Sequence, residues 1–369
     1  MKDFRIAKRC LGIEISGIRK LFEAARPGSI NMGLGQPDFD TPDHIKEGAI
    51  RAIRDGMTGY TSNMGIPELR EALSRKFRDE NKLEYQPDQI IVTAGASEAL
   101  HIIMHALIED GDRVLFADPG FVSYGSLALL AGGRPEGVPL DAELRIDLEE
   151  AKTRLDGARI FVLNSPGNPT GAVETEESIR ALVEYANDAG VTVVSDEVYE
   201  HFIYEGTHWS AARFGENVIT VNAASKTYAM TGWRLGYLAG PKEITEQCLK
   251  VHQYAQACAT SISQYAALTA YTGPQDCVGL MRDEYRWRRD FLYGALREMG
   301  IVFPCPQGAF YLFAPLGKHL INRILGKGVV IVPGEAFGCN APEYARLSYA
   351  ASRSDLQTAV ERIRAARSE

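Results

Sequence analysis

The strongest constraint on the fold is an alternation. Short apolar runs, "QIIVTAG", "RVLFADP", "ARIFVLNSP", "VTVVSD" and "NVITVNAAS", recur through the middle of the chain. Helical patterns lie between some of them, such as "SEALHIIMHALIEDGD", closed at Gly111, and "TEESIRALVEYANDAG". Strands that are apolar nearly throughout are buried on both faces, and strands that alternate with helices run parallel. The pattern predicts an α/β fold with a mainly parallel sheet covered by helices. Ligands of such sheets bind beyond the carboxyl ends of the strands. There the apolar runs open onto Ser97, Asn164, Asn168, Asp196, Ser225 and Lys226.

From about Pro274 the pattern changes. A charged helix, "LMRDEYRWRRDFLYGALREMG", leads to the strand-like "GAFYLFAP" and "GVVIVPG", then to "YARLSYAAS" and a last helix. A chain of 369 residues exceeds one compact core. The expected division is an N-terminal segment over 1–44, a large sheet domain over 45–273 and a smaller α+β domain over 274–369, against which the first segment packs.

Composition narrows the partners. A net charge of -8 argues against nucleic acid, which needs a basic face. No apolar run reaches membrane-spanning length, and the first residues lack the apolar core of a signal peptide. The six cysteines are scattered without a Cys-x-x-Cys pair, so neither a disulfide framework nor a zinc site is expected. These features predict a cytoplasmic protein.

Several residues could carry chemistry. Lys226 sits among small residues in "AASKTYAMTGWRLGY". Desolvation lowers a lysine's pKa and makes its amine a nucleophile, although a packed stem with the amine in water is the plainer alternative. Asp196 ends an apolar run, where it serves either as a helix N-cap or as the partner of a cation. "NSPGNPTG" forces an irregular turn at a strand end. The turn Gly95–Ala96–Ser97 precedes a helix, a ready seat for an anion. His101 and His105 lie one helical turn apart with Glu109 beyond, which is metal-ligand spacing, but no third ligand is evident and no metal is expected. Phosphate-loop and nucleophile-elbow motifs are absent, and "GLGQPDFD" lacks the third glycine of a dinucleotide site.

Taken together the motifs "GLGQPDFDTP", "YTSNMGIPELREAL", "VTAGASEAL", "DPGFVSYG", "NSPGNPTG", "SDEVYE", "SKTYAMTGWRLGY", "GAFYLF" and "RLSYA" resemble one family. It is the pyridoxal-phosphate-dependent class I/II aminotransferases of fold type I, with archaeal aspartate and aromatic enzymes most similar. The resemblance implies a seven-stranded sheet and a pyridoxal 5'-phosphate cofactor joined to Lys226. Asp196 would pair with its ring nitrogen. Tyr199 and Asn168 would bond its phenolic oxygen, and Phe121 would stack on the ring. The turn Gly95–Ala96–Ser97, with Ser225 and Arg234, would hold the phosphate, and Tyr60 would reach it from a second copy in a homodimer with shared sites. Arg346 would clamp the α-carboxylate of the substrate, approached also by the Gly35 backbone, with Phe121 and Asn168 alongside. Lys226, Asp196 and Tyr199 would be the catalytic groups.

The implied activity is transfer of an amino group from an L-amino acid, aspartate first, to a 2-oxo acid such as 2-oxoglutarate. Aromatic or alanine donors, or carbon–sulfur β-lyase chemistry, are the alternatives. Two departures stand out. Ala223 replaces a serine that many relatives use as a phosphate ligand. "HQYAQACATSISQ" lacks the arginine that receives a distal carboxylate in the best-known aspartate enzymes, for which Arg19 is a substitute candidate.

Overall fold

The computed structural model describes residues 6–13, 15, 17 and 28–368. Its strands, in chain order, are β1 (Ile30–Asn31), β2 (Ile90–Thr93), β3 (Arg113–Asp118), β4 (Arg134–Pro139), β5 (Ala158–Asn164), β6 (Thr192–Asp196), β7 (Val218–Ala223), β8 (Gly236–Ala239), β9 (Tyr311–Pro315), β10 (Val329–Val330), β11 (Val332–Pro333) and β12 (Tyr344–Ser348).

Seven of them form one sheet in the order β2-β8-β7-β6-β5-β3-β4. All neighbours are parallel except β8, which runs antiparallel to β2 and β7. This is the fold-type-I arrangement. Every residue of β6 and β7 is buried, which explains why neither carries a charged residue before Asp196 at the end of β6. Successive side chains alternate faces. Val162, Val194 and Val221 pack under the helix Ala96–Leu107. Phe161, Leu163 and Val193 pack on the opposite side against Leu182 and Val183. Full burial of one such side chain contributes roughly 1.5–3 kcal/mol.

The helix Glu176–Asp188 shows how one cover is built. Thr175 accepts a hydrogen bond from the Ser178 N–H and caps its start. Ile179, Leu182, Val183 and Ala186 fall on one stripe at helical spacing and are buried.

Toward the C-terminus, β12 lies between β11 and β9 in an antiparallel sheet, so Arg346 occupies its middle strand, opposite Phe313 and Val332. β1 pairs in parallel with β10, which ties the described part of the N-terminal segment to the C-terminal part by main-chain bonds. Two expectations are corrected. "GVVIVPG" is not one strand: β10 and β11 belong to different sheets, separated at Ile331, because the chain leaves β1 for β12. The helix expected to run to Gly111 ends at Leu107, and Ile108 is extended. Among the described residues no helix is long and apolar enough to cross a membrane.

Candidate active site

Register aligns the carboxyl ends of β5, β6 and β7. Asn164 lies beside Asp196, and Asp196 beside Val221. Lys226 follows in the short helix Ala224–Thr227. A cavity opens over these ends, lined by Gly35, Ala96, Ser97, Phe121, Tyr124, Asn168, Asp196, Tyr199, Ser225, Lys226, Arg234, Tyr311 and Arg346, among others.

Asp196 is buried and caps no helix, since a turn follows it. Its Oδ2 accepts a hydrogen bond from the Tyr124 hydroxyl at 2.8 Å, and its Oδ1 accepts the Val198 N–H at 3.4 Å. Burial lifts its carboxyl to about 6, against the pull of Tyr124, the Val198 N–H and Lys226.

Lys226 borders the open cavity, so the residue keeps some exposure, but its amine is enclosed by protein. The Nζ donates to the Gly35 carbonyl at 2.8 Å. Burial pushes the ammonium down to about 8; the Arg346 and Arg234 guanidinium groups act in the same direction and Asp196 opposes them. A lysine so placed offers free amine near neutrality, which suits it to attack a carbonyl carbon.

Arg346 is 1% exposed. Its Nη1 donates to Asn168 Oδ1 at 2.8 Å and its Nη2 to the Gly33 carbonyl at 2.6 Å. The guanidinium lies between the Tyr311 and Phe337 rings, 4.5 and 4.8 Å from their centroids. Its Nε is buried without a partner, and among the described residues no carboxylate pairs with it. A buried cation lacking an anion is costly, so the arrangement is ready for an anionic ligand.

Arg234 lies across the cavity with a left-handed backbone, φ 51°. Its Nη1 and Nη2 donate to the Thr231 and Ala94 carbonyls. Gly95 stands against it: a Cβ there would fall 2.5 Å from Arg234 Nη2, and φ is 82°. Ala96 and Ser97 open the helix Ala96–Leu107, whose first N–H groups have no partner within it. The Gly95 N–H is not among these, since it donates to the Thr93 carbonyl. Gly95 therefore contributes its missing side chain rather than a donor.

A model of the family described as aminotransferase class I and II matches residues 27–363. The chain belongs to the class I and II aminotransferases. It is 44% identical over 367 residues to a Methanocaldococcus jannaschii protein named "Probable aspartate aminotransferase", covering 96% of this chain and 98% of that one. It is 39% identical to "Aromatic-amino-acid aminotransferase 2" of Thermococcus litoralis, with 94% of each covered. The solved structure of the Thermus thermophilus aspartate aminotransferase with maleate superposes with a TM-score of 0.94 at 38% identity, covering 99% of this chain and all of that one.

In this aminotransferase most residues singled out from the sequence meet in one cavity. Gly95 stands just behind it. Tyr60 does not line it; its side chain is 92% exposed. Arg19 lies outside the described residues. The His101 and His105 rings are neighbours, with centroids 4.3 Å apart, but Glu109 lies past the helix end. Among the described residues the group with metal-ligand spacing is instead Glu197, Glu200 and His208. Its carboxylates are already engaged: Glu200 by Lys76, Asn81 and Asn222, and Glu197 by Ser195, Ser210 and His208.

Sequence reasoning missed two tyrosines. Tyr124 lies three residues after Phe121, and the two rings meet edge to face with centroids 5.5 Å apart. Tyr311 lies in "GAFYLF", and its hydroxyl is 2.8 Å from that of Tyr199. The spacing from Phe121 and the strand alternation through Phe313 were the available signals.

Proposed function

We propose that this aminotransferase binds pyridoxal 5'-phosphate at Lys226 and moves the amino group of an L-amino acid, aspartate first, to a 2-oxo acid such as 2-oxoglutarate. The observation that carries the reading is the buried amine of Lys226, held down to about 8, between one carboxyl and two guanidinium groups.

The residues fit the cofactor. Arg234, the bare Gly95 and the N-terminus of the helix Ala96–Leu107 suit a phosphate. This seat needs no hydroxyl at Ala223, with Ser97 and Ser225 also on the cavity wall. Asp196 supplies a buried carboxyl for the ring nitrogen, and Phe121 a ring face. When bound, the cofactor supplies an electron sink for the carbon that loses its proton. The chain does the rest. Arg346 and the Gly35 backbone hold the substrate carboxylate, with Asn168 fixing the guanidinium. Asp196, kept in place by Tyr124, holds a proton at the ring nitrogen. Tyr199 and Asn168 reach the phenolic oxygen. With the cofactor bound, Lys226 Nζ would be the base that takes the proton from the substrate α-carbon.

A second copy completes the site on this reading. Tyr60, Met57 and Ile53 are exposed apolar residues on one stretch of chain, a surface suited to burial in a homodimer that lends Tyr60 to the neighbouring site. The same reading divides the chain at about residues 44 and 273, and its unpaired thiols suit a cytoplasmic setting.

One observation favours aromatic donors as the second reading. Beyond Lys226, Arg234 and Arg346, the described cavity wall holds no further cation for a distal carboxylate, while Leu34, Leu100, Phe121 and Tyr311 line it. The test is to mix the cofactor-loaded protein with single amino acids without acceptor and follow the cofactor's absorption. Aspartate should convert it fastest; faster conversion by tyrosine or phenylalanine overturns the donor assignment. Borohydride should fix the cofactor at Lys226, and label elsewhere would refute the site.

A further inference from the structure

Tyr311 touches three separate parts of the site. Its hydroxyl is 2.8 Å from the Tyr199 hydroxyl. Its ring lies under the Arg346 guanidinium, 4.5 Å away. A side chain on Gly35 would overlap its hydroxyl, so the backbone that accepts the Lys226 amine is also pressed against Tyr311. Both tyrosines are buried.

Two hydroxyls at this distance share one hydrogen bond, so one donates and the other keeps its proton for a different acceptor. Burial makes both phenols weaker acids. In Tyr311 the Arg346 guanidinium is the next influence and opposes burial. In Tyr199 the neighbouring Tyr311 adds to the effect of burial, Arg346 opposes it, and Asp196 adds to it again. The Arg346 guanidinium lies 4.5 Å from the Tyr311 ring, whereas the cation beside the Tyr199 ring, Lys226 Nζ, lies at 5.9 Å, so the closer cation polarises the Tyr311 hydroxyl toward donation.

We propose that Tyr311 is a positioning residue: its hydroxyl donates to the Tyr199 oxygen and thereby directs the Tyr199 proton into the cavity. The inference rests on the reading above, in which that proton meets the phenolic oxygen of the cofactor. Polarisation along such a chain strengthens each bond in it. The chain Arg346–Tyr311–Tyr199 therefore links the seat of the substrate carboxylate to the cofactor ring. Tyr311 acts on the reaction through Tyr199 and does not itself need to touch the cofactor.

The test is a double-mutant cycle read by spectroscopy. The cofactor-loaded wild type, Tyr311→Phe, Tyr199→Phe and the double variant are titrated with acid and base while the cofactor's absorption is followed. Phenylalanine keeps the ring under Arg346 and removes only the hydroxyl. A phenolic oxygen facing a weaker donor is more basic, so Tyr311→Phe should raise the titration midpoint by about 0.5 pH unit or more, the scale of one neutral hydrogen bond. In the Tyr199→Phe background the same change should do nothing. An unmoved midpoint in Tyr311→Phe, or an equal shift in both backgrounds, overturns the proposal for Tyr311 while leaving Tyr199 in place. A Tyr199→Phe protein that titrates like the wild type removes Tyr199 from the cofactor and takes the Tyr311 proposal with it. Circular dichroism of each variant separates these outcomes from loss of fold.

Discussion

The Tyr124 hydroxyl donates to Asp196 Oδ2 at 2.8 Å, within a site where both side chains are buried. That bond opposes the rise in pKa that burial imposes on Asp196, without cancelling it. The carboxyl stays near 6 because an ionised oxygen has been taken out of water and given one hydroxyl, one N–H and a lysine in exchange.

The consequence is measurable in the cofactor-free protein. The folded pKa of about 6 exceeds the ordinary value of 3.8, so between these pH values the folded state binds more protons than the unfolded state. Asp196 therefore makes stability fall as pH rises from about 4 to about 6, by about 3 kcal/mol in all. Asp196→Asn removes this dependence. Urea unfolding of both proteins should give equal stability below pH ~4 and a more stable variant at pH ~7. A difference that does not change with pH contradicts the assignment.

Lys226 titrates in the opposite sense. Its amine in the cofactor-free protein should react with an acylating reagent with a midpoint near 8, below the ordinary lysine value of 10.5. Arg346→Gln removes one of the charges that depress it and should move that midpoint upward. Peptide mass spectrometry across a pH series reads both. A wild-type midpoint near 10.5 would mean that the amine is reached by water.

How much of this could be read in the sequence depends on the element. β5, β6 and β7 were legible because burial on both faces gives each a run of apolar residues, Ile160–Leu163, Val193–Val194 and Val218–Val221, interrupted there only by Thr220. β4 was not: it carries Pro135 and Pro139, which the sheet tolerates because β4 is an edge strand. β8 is four residues long and antiparallel in a parallel sheet, and the only helix between it and β7 is the four-residue Ala224–Thr227, so the strand–helix alternation does not announce it. Lys226, Asp196 and Arg346 stood out as polar residues at the ends of, or within, apolar runs. Tyr124 and Tyr311 did not, since a tyrosine in an apolar run is ordinary core until its hydroxyl is seen to have a partner.

Gly95 offers a sharper test of the anion seat. Gly95→Ala puts a methyl group against Arg234 and a side chain on a left-handed backbone. Affinity for pyridoxal 5'-phosphate should fall about 10-fold or more, as expected for displacement of one charge-assisted contact. Stability of the cofactor-free protein should fall by about 1 kcal/mol. Cofactor titration by fluorescence and urea unfolding measure the two. Unchanged affinity would place the phosphate elsewhere.

Behind the site, Lys76 pairs with Glu200 inside the protein. Asn81 and Asn222 bond the same carboxylate, at 2.7 and 2.5 Å. Burial would raise the Glu200 pKa, but Lys76, His201 and His208 outweigh it and hold the carboxyl below its usual range. Glu200→Gln leaves the buried Lys76 charge only the half-exposed Glu80, 3.9 Å away, as a counter-ion and should cost about 3–5 kcal/mol in urea unfolding. Lys76→Met combined with Glu200→Met should cost less than either change alone. Strictly additive losses would show that the two charges do not depend on each other.

This cluster also bears on descent. Lys76 and Asn81 come from one turn of the chain, Glu200 follows Tyr199, and Asn222 lies four residues before Lys226. A lineage that altered one of them would carry an uncompensated charge or donor in its interior until a second alteration arrived. The four positions should therefore be inherited as a block, and lineages that lost the block should have lost it whole. The apolar Leu34, Leu100 and Phe121 on the cavity wall carry no such charge to balance, so the surroundings of a substrate side chain are free to drift on a scaffold that cannot.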